Sequence, residues 1–314
     1  MDKTVLGRTG LSVSVMGMGC GGPSSLGTAL GHAPEDSAAI VRRALELGVN
    51  FIDTAEAYGT EEIVGQAIAG VPRDQVVLAT KKTTWYDPAR RVTACDLEAS
   101  LETSLRRLGT DYIDIYQLHC VTAENYRELS QELVPAMRKQ QQKGKIRFLG
   151  LTEYFERDPS HRMLEQALAD DVWDVVMVGF NMLNPSARTT IFPRTRARKV
   201  GTLVMFAVRK ALSRPERLEK VVTMLVEKGQ LDGSAINWED PLGFLVDQGG
   251  AASIEDAAYR FCRHEPGVDV VLSGTSSIEH LEANAGSCNG GPLPKRDRAR
   301  LVELFGKVDS VTGG

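Results

Sequence analysis

The sequence EDSAAIVRRALELGVNFID, residues 35–53, sets a pattern that the rest of the chain repeats. Its first part predicts an amphipathic helix, because Ala38, Val41 and Leu45 fall on one helical face. Gly48 stands where helices commonly end on a left-handed residue, and the short apolar segment FID follows it. This order of helix, glycine and strand is typical of a βα unit.

The same order recurs twice further along the chain. LETSLRRLG (101–109) precedes DYIDIYQLH (111–119), and AMRKQQQKG (136–144) precedes KIRFLGL (145–151). Short apolar strands that alternate with helices indicate a parallel sheet. Eight parallel strands close a (β/α)8 TIM barrel, so we predict one barrel domain over residues 1–314 rather than a doubly wound open sheet. The eight strands are predicted at about 13–18, 51–53, 76–80, 113–118, 146–151, 175–179, 202–206 and 269–273.

Two segments depart from the repeat. VLGRTGLSV (5–13) predicts an N-terminal β-hairpin, since apolar residues alternate with serines from Leu11 to Val15. We favour this hairpin over a signal peptide. The gap after strand seven is unusually long and leaves residues 207–252 as an insertion, with an extra helix at 214–228. Long barrel insertions usually lie at the catalytic face, so we expect this one to cover the cofactor or substrate.

The composition is that of an ordinary globular enzyme. The 314 residues are 42% hydrophobic and 25% charged with a formal net charge of −4, which gives no electrostatic reason to expect nucleic acid or an anionic membrane as a partner. No apolar run is long enough to span a bilayer. The five cysteines are scattered without CxxC spacing, so we predict reduced thiols, no metal site and a cytoplasmic location.

The glycine-rich segment GMGCGG (17–22) is not assigned as a Rossmann fingerprint. That motif requires a helix to begin directly on the glycines. Here Pro23 follows, and the first predicted helix begins about a dozen residues later. We therefore reject the assignment.

Four polar residues stand at or just beyond the ends of three successive predicted strands. Asp53 ends FID, Tyr58 lies in the loop that follows, Lys81 ends VVLATK and His119 ends IYQLH. One such residue alone is usually just a polar loop residue. The carboxyl ends of barrel strands meet at one mouth, however, so all four together predict an active site.

These residue types suit the reduction of a carbonyl group. Hydride addition needs a proton donor to the developing alkoxide. A tyrosine hydroxyl is a poor acid at neutral pH, and a neighbouring ammonium is expected to lower the pKa of Tyr58. Asp53 would hold the Lys81 ammonium in place, and a neutral His119 would orient the substrate oxygen.

The chain resembles the aldo-keto reductase family from the hairpin to about Asn284. The resemblance rests on FIDTAEAYG (51–59), VVLATK (76–81), DYIDIYQLH (111–119) and LSGTSSIEHLEAN (272–284). It implies a barrel without a Rossmann domain and a nicotinamide cofactor bound across the barrel mouth. It also implies the four catalytic roles given above.

The resemblance further implies a set of cofactor-binding residues. GTSS before a helix offers backbone N–H groups to a phosphate, although the lysine and arginine that the family often has near Gly274 and at His280 are absent. Basic residues of the insertion, among them Arg209, could compensate, and we expect NADP with NAD as the alternative. The expected cofactor residues are Gly19, Cys20, Asp53, Thr152, Glu153, Met177, Phe206, Ala207, Arg209, Ser273, Gly274, Thr275, Ser276, His280 and Asn284.

Three of these positions depart from the family around the nicotinamide. Thr152-Glu153 replaces Ser-Asn, Met177 replaces Gln, and Phe206-Ala207 replaces Tyr-Ser. Phe206 can still stack on the ring, whereas a thioether cannot replace an amide. Glu153 would accept hydrogen bonds from the carboxamide and favour the oxidised cofactor. Its alternative role is to point to solvent and cap the next segment.

The substrate is expected to be a small carbonyl compound. Aromatic residues follow strands three and five and are predicted to line its pocket beside His119: Trp85, Tyr86, Tyr154 and Phe155. Two other functions stay open. The first is an epimerase, dehydratase or isomerase that uses the same four residues for proton transfer, and the second is a non-catalytic nucleotide-binding subunit.

Overall fold

The computed structural model describes residues 1–84, 91–246 and 250–314. Eight parallel strands form a closed barrel in which each strand pairs with the next along the chain and the last pairs with the first. This confirms the predicted (β/α)8 architecture. Numbered along the chain, the strands are β1 (Lys3–Val5) and β2 (Ser12–Ser14) of a hairpin, then β3 (Met16–Gly19), β4 (Phe51–Asp53), β5 (Val77–Thr83), β6 (Ile113–Val121), β7 (Ile146–Glu153), β8 (Val175–Gly179), β9 (Gly201–Met205) and β10 (Val270–Ser273) of the barrel.

Helices follow the strands as predicted. A capping box starts the third helix, where the Thr93 side chain accepts from the Asp96 N–H. None of the helices in the described parts of the chain is long and apolar enough to cross a membrane. The helices are α1 (Pro34–Glu46), α2 (Glu61–Ile68), α3 (Ala94–Leu108), α4 (Tyr126–Gln142), α5 (Arg162–Ala167), α6 (Ala187–Thr190), α7 (Phe192–Arg198), α8 (Pro215–Glu227), α9 (Ile254–Arg263), α10 (Ile278–Asn289) and α11 (Lys295–Phe305).

The prediction of a single first barrel strand at 13–18 was wrong, because the structure has two strands there. The beginning of that segment belongs to β2, which pairs antiparallel with β1, and its end belongs to β3. The chain changes partners at Val15, whose N–H donates to Asp2 O at 3.0 Å while its carbonyl accepts from Val271 N at 2.9 Å. The apolar alternation runs through both strands, so the sequence pattern does not mark the break.

The hairpin closes one end of the barrel. Three of its side chains join the apolar cluster that fills the barrel interior, and this leaves the carboxyl ends of the strands as the open mouth. The methionine expected near the nicotinamide is part of this interior layer. The cluster is formed by Leu6, Leu11, Val13, Phe51, Val77, Ala79, Ile115, Val175, Met177, Leu203 and Val270.

The insertion contains α8, which confirms the extra helix, and it packs against the last residues of the chain. Ala211 donates its N–H to Gly313 O at 3.0 Å, and Gln230 donates to Asp309 at 3.1 Å. The same chain end accepts a hydrogen bond from Asn181, which follows β8. Insertion and chain end therefore form one layer beside the ends of β8 and β9.

Candidate active site

Asp53 and Lys81 form a buried ion pair at the ends of the adjacent strands β4 and β5. The Lys81 Nζ lies 2.6 Å from Asp53 Oδ2 and 2.7 Å from the Thr54 carbonyl oxygen. The second carboxylate oxygen accepts from Gln117 Nε2 at 3.1 Å. Removing one partner of such a pair leaves a buried charge uncompensated, which typically costs about 3–5 kcal/mol.

Tyr58 and His119 complete the predicted group of four. The Tyr58 hydroxyl lies 3.3 Å from His119 Nε2, and the two rings meet edge to face. Lys81 Nζ is 4.8 Å from the centre of the Tyr58 ring. The structure therefore brings together all four residues that the sequence placed at neighbouring strand ends.

The turn that carries Tyr58 is held from outside the mouth by Glu56. Its carboxylate accepts from Lys82 Nζ at 2.8 Å, from Thr83 N at 2.7 Å and from the Ser100 hydroxyl. On the other side, a Cβ added to Gly21 would lie 2.5 Å from a ring carbon of Tyr58. One glycine of GMGCGG thus makes room for the tyrosine.

The expectation of a lowered tyrosine pKa is wrong for the ligand-free protein. Burial raises the pKa of Tyr58 above its ordinary value, and the opposing effect of the Lys81 ammonium is smaller. Burial also acts to lower the pKa of Lys81, but Asp53 and Tyr58 outweigh it, so the pKa of Lys81 is raised. Tyr58 is therefore protonated and Lys81 charged at neutral pH.

His119 is neutral in this environment. Burial, together with the nearby Lys81 ammonium, lowers its pKa to about 3. Its Nδ1 is buried and has no hydrogen-bond partner among the described residues. An unpaired buried donor is disfavoured, so the proton belongs on Nε2, the nitrogen that faces Tyr58.

Glu153 does not point to solvent, so that alternative was wrong. Its side chain is fully buried, both oxygens lie 3.0 Å from His161 Nδ1, and one accepts from Gly179 N at 2.7 Å. Burial raises the pKa of this carboxyl, against the influence of His161. Thr152 is also engaged, because its hydroxyl accepts from Cys120 N at 2.8 Å.

Phe206 lies at the mouth with a left-handed backbone, φ 68°. The Arg209 guanidinium covers its ring, with Cζ 4.0 Å from the centre, and Arg209 also donates to Glu156 at 2.8 Å. Phe155 stacks beneath Phe206 at 6.2 Å and on His161 at 5.4 Å. The predicted cofactor residues Phe206 and Arg209 therefore contact each other.

The predicted phosphate segment follows β10. Ser277 caps α10 by accepting from the His280 N–H, and Thr275 accepts from the Ser277 N–H. Gly274 is exposed, and a Cβ on it would lie 3.1 Å from Gly19 O. The hydroxyl of Ser273 is bound by Tyr259 and by Asn284.

The predicted substrate aromatics are only partly placed. Trp85 and Tyr86 lie outside the described residues. Tyr154 is half-buried, with the Arg157 guanidinium 4.9 Å from its ring centre. Phe155 is fully buried between two rings, so it supports Phe206 rather than facing open space.

Three residues of the site were missed in the sequence. Gln117 has a detectable signal, because it is a polar residue inside an apolar strand and lies two positions before His119, on the same face. Glu56 lies in the FIDTAEAYG segment but its partners are distant in sequence. His161 has a left-handed backbone, and nothing in the sequence links it to Glu153.

Comparison with known proteins identifies the family of this chain. A model of the Aldo/keto reductase family matches residues 17–305. The chain is 27% identical over 309 residues to the uncharacterized oxidoreductase YqkF of Bacillus subtilis (strain 168), covering 95% of this chain and 94% of YqkF.

Two solved structures are similar over nearly their whole length. The holo form of aldo-keto reductase AKR11C1 from Bacillus halodurans has a TM-score of 0.74 at 26% identity. The match covers 97% of this chain and 96% of the AKR11C1 chain. An aldo/keto reductase from Klebsiella pneumoniae, solved with NADP and acetate, has a TM-score of 0.71 at 25% identity. The match covers 99% of this chain and 100% of the Klebsiella chain. This chain therefore belongs to the aldo/keto reductase family and is an oxidoreductase.

Proposed function

We propose that this protein is an NADPH-dependent carbonyl reductase that converts a small aldehyde or ketone into an alcohol. The observation that carries the proposal is the Lys81–Asp53 pair at 2.6 Å beside Tyr58, whose hydroxyl is 3.3 Å from His119 Nε2. NADP is favoured over NAD because the similar Klebsiella pneumoniae structure was solved with it.

The residues at the mouth fit a nicotinamide dinucleotide at both of its ends. At the start of α10, the hydroxyl of Ser277 and the exposed backbone of Gly274 offer hydrogen bonds to a phosphate. At the other end, the ring of Phe206 would stack on the nicotinamide once the Arg209 guanidinium that covers it moves away. The same arginine supplies a positive charge next to Phe206.

A nicotinamide cofactor, when bound at the mouth, would supply the hydride for the carbonyl carbon. Tyr58 gives its hydroxyl proton to the carbonyl oxygen, so the product is a neutral alcohol and the tyrosine becomes a phenolate. The Lys81 ammonium stabilises that phenolate, and Asp53 keeps the ammonium charged and in position. A proton from solvent then restores Tyr58.

His119 orients the substrate in this scheme. With its proton on Nε2, the neutral imidazole donates a hydrogen bond to the carbonyl oxygen that Tyr58 protonates. The insertion at 207–252 has Arg209 near its start and packs with the chain end beside the ends of β8 and β9, which supports a role as cover for the cofactor. Tyr154, half-buried after β7, would line the space for the substrate.

The test is to titrate purified protein with NADPH and NADH, following cofactor fluorescence. Oxidation of the bound form is then measured with a panel of aldehydes and ketones. The proposal predicts tighter binding of NADPH and carbonyl-dependent oxidation of it. Binding of neither cofactor would exclude the function, and binding without turnover of any carbonyl would favour an isomerase-type use of the site.

A further inference from the structure

Gln117 touches the Asp53–Lys81 pair from the side opposite to the lysine. Its Nε2 donates to Asp53 Oδ1 at 3.1 Å, while Lys81 donates to the other oxygen. Gln117 has no exposed surface, and Lys81 and Asp53 are also buried. The amide is therefore the second donor that a buried carboxylate needs.

The carbonyl end of the Gln117 side chain adds no stabilising contact. Its Oε1 is buried and has no hydrogen-bond partner within the described ranges. A buried acceptor left unpaired is destabilising, and an apolar side chain of similar shape would avoid that loss. Among the described residues, the donation to Asp53 is the hydrogen bond that the Gln117 side chain makes.

The neighbouring strand is shaped to fit the glutamine. Gly150 on β7 faces it, and a Cβ at position 150 would lie 2.6 Å from Gln117 Cγ. Any larger residue there would push the side chain away. Gly150 of β7 thus gives Gln117 the room to lie against Asp53.

We propose that Gln117 is a positioning residue that keeps Asp53 ionised and aligned, so that Lys81 stays charged beside the proton donor Tyr58. The inference rests on the proposed function, because it assigns Gln117 a part in the same proton transfer. Other titratable groups also face this cluster: Cys20 after β3, Tyr58 on the turn after β4, Lys81 on β5, and His119 with Cys120 on β6. Gln117 itself carries no charge, so its effect on them passes through Asp53.

The first experiment follows Asp53 in the ligand-free protein by carbon-13 NMR of aspartate-labelled samples, with Asp53→Asn to assign the signal. Gln117→Leu removes the donor while keeping an apolar shape. It should raise the pKa of Asp53 by about one to two units, the shift that a lost hydrogen bond to a charged group corresponds to. The matched control is Gln140→Leu, because Gln140 is equally buried and has an unpaired Oε1 but lies on the outer helix α4.

The second experiment measures kcat/KM for carbonyl reduction against pH. In Gln117→Leu, the acidic limb of the kcat/KM profile should shift to higher pH by the same number of pH units as the pKa of Asp53. In Gln117→Glu, the introduced carboxyl can donate to Asp53 only while protonated, so activity should gain a new decrease as pH rises. Wild type and Gln140→Leu should show neither change.

The two experiments separate the two proposals. If wild-type protein reduced no carbonyl, the proposed function would fail, and the NMR titration would still decide the role of Gln117. An unchanged Asp53 titration in Gln117→Leu would overturn the inference. An equal shift in Gln140→Leu would overturn it as well. If Gln117→Leu did not fold, the pH profile of Gln117→Glu would give the decision, and the absence of a new limb would contradict the proposal.

Discussion

The guanidinium of Arg209 lies over the ring of Phe206, with its Cζ atom 4.0 Å from the ring centre. The side chain is fixed there by Glu156 at 2.8 Å and is only 19% exposed. Arginine stacks well on aromatic faces, and in this place it covers a surface that a nicotinamide could use. Binding of the cofactor should therefore move Arg209 from the ring to a phosphate.

Arg209→Met tests this movement. Loss of the cation should raise the Kd for NADPH about tenfold, or ~1.4 kcal/mol, and should weaken its dependence on salt. Glu156→Gln is the control, because it frees Arg209 without removing it and should bind NADPH at least as tightly as wild type. Unchanged affinity in Arg209→Met would show that the arginine only covers Phe206.

His119 should make the protein sensitive to acid. Its pKa is about 3 in the folded protein against 6.5 for an ordinary histidine. As the pH falls below 6.5, His119 becomes protonated in the unfolded chain but stays neutral in the folded protein. The free energy of unfolding therefore decreases. Between pH 6.5 and 5 this amounts to about 2 kcal/mol. Denaturant titrations at both pH values should show that the unfolding free energy of wild type decreases by that much more than that of His119→Asn. Equal decreases in the two proteins would contradict the assignment of a neutral His119.

Glu56 should matter for both folding and catalysis because it ties the Tyr58 turn to β5. Its pKa is lowered, since Lys82, Ser100 and Thr83 outweigh the effect of burial, so its stabilising contribution exists above about pH 4.5 and is lost at lower pH. Glu56→Gln should cost about 2 kcal/mol of stability and lower kcat. Glu62→Gln, at an exposed site on α2, is the control. Stability and kcat equal to those of the control would show that the turn does not depend on Glu56.

Glu153 should act through His161 rather than through the cofactor charge. Its oxygens already accept from His161 and Gly179, so Glu153→Gln should change the affinity for oxidised and reduced cofactor equally. Combined with His161→Asn, its effect on unfolding free energy should be non-additive, as for residues in contact. If Glu153→Gln weakened binding of the oxidised cofactor more than binding of the reduced cofactor, the direct carboxamide contact expected from the sequence would be supported instead.

The barrel and the group of four could be predicted because each depends on local pattern and on topology. Helix, glycine and strand repeat along the chain, and strand ends in a barrel meet at one mouth. The split at Val15 was missed because one apolar alternation serves two strands. Trp85 and Tyr86 stay predictions.

The contacts around the nicotinamide end could not be predicted in the same way. Phe206 and His161 both have left-handed backbones and lie in loops. Strand periodicity therefore does not predict where their side chains point. The pKa of Tyr58 was misjudged for a related reason. The sequence shows the lysine beside it but not the extent of burial, and burial is the larger effect.

The most direct test of the account is the rate of hydride transfer in Tyr58→Phe. The substitution removes one hydroxyl and little volume, so NADPH binding and unfolding should match wild type. In a single turnover with an aldehyde in excess, the rate should fall by a factor of about 10² or more, because the proton donor is gone. A rate within a few-fold of wild type, with chemistry still limiting, would contradict the assignment of Tyr58 as the acid.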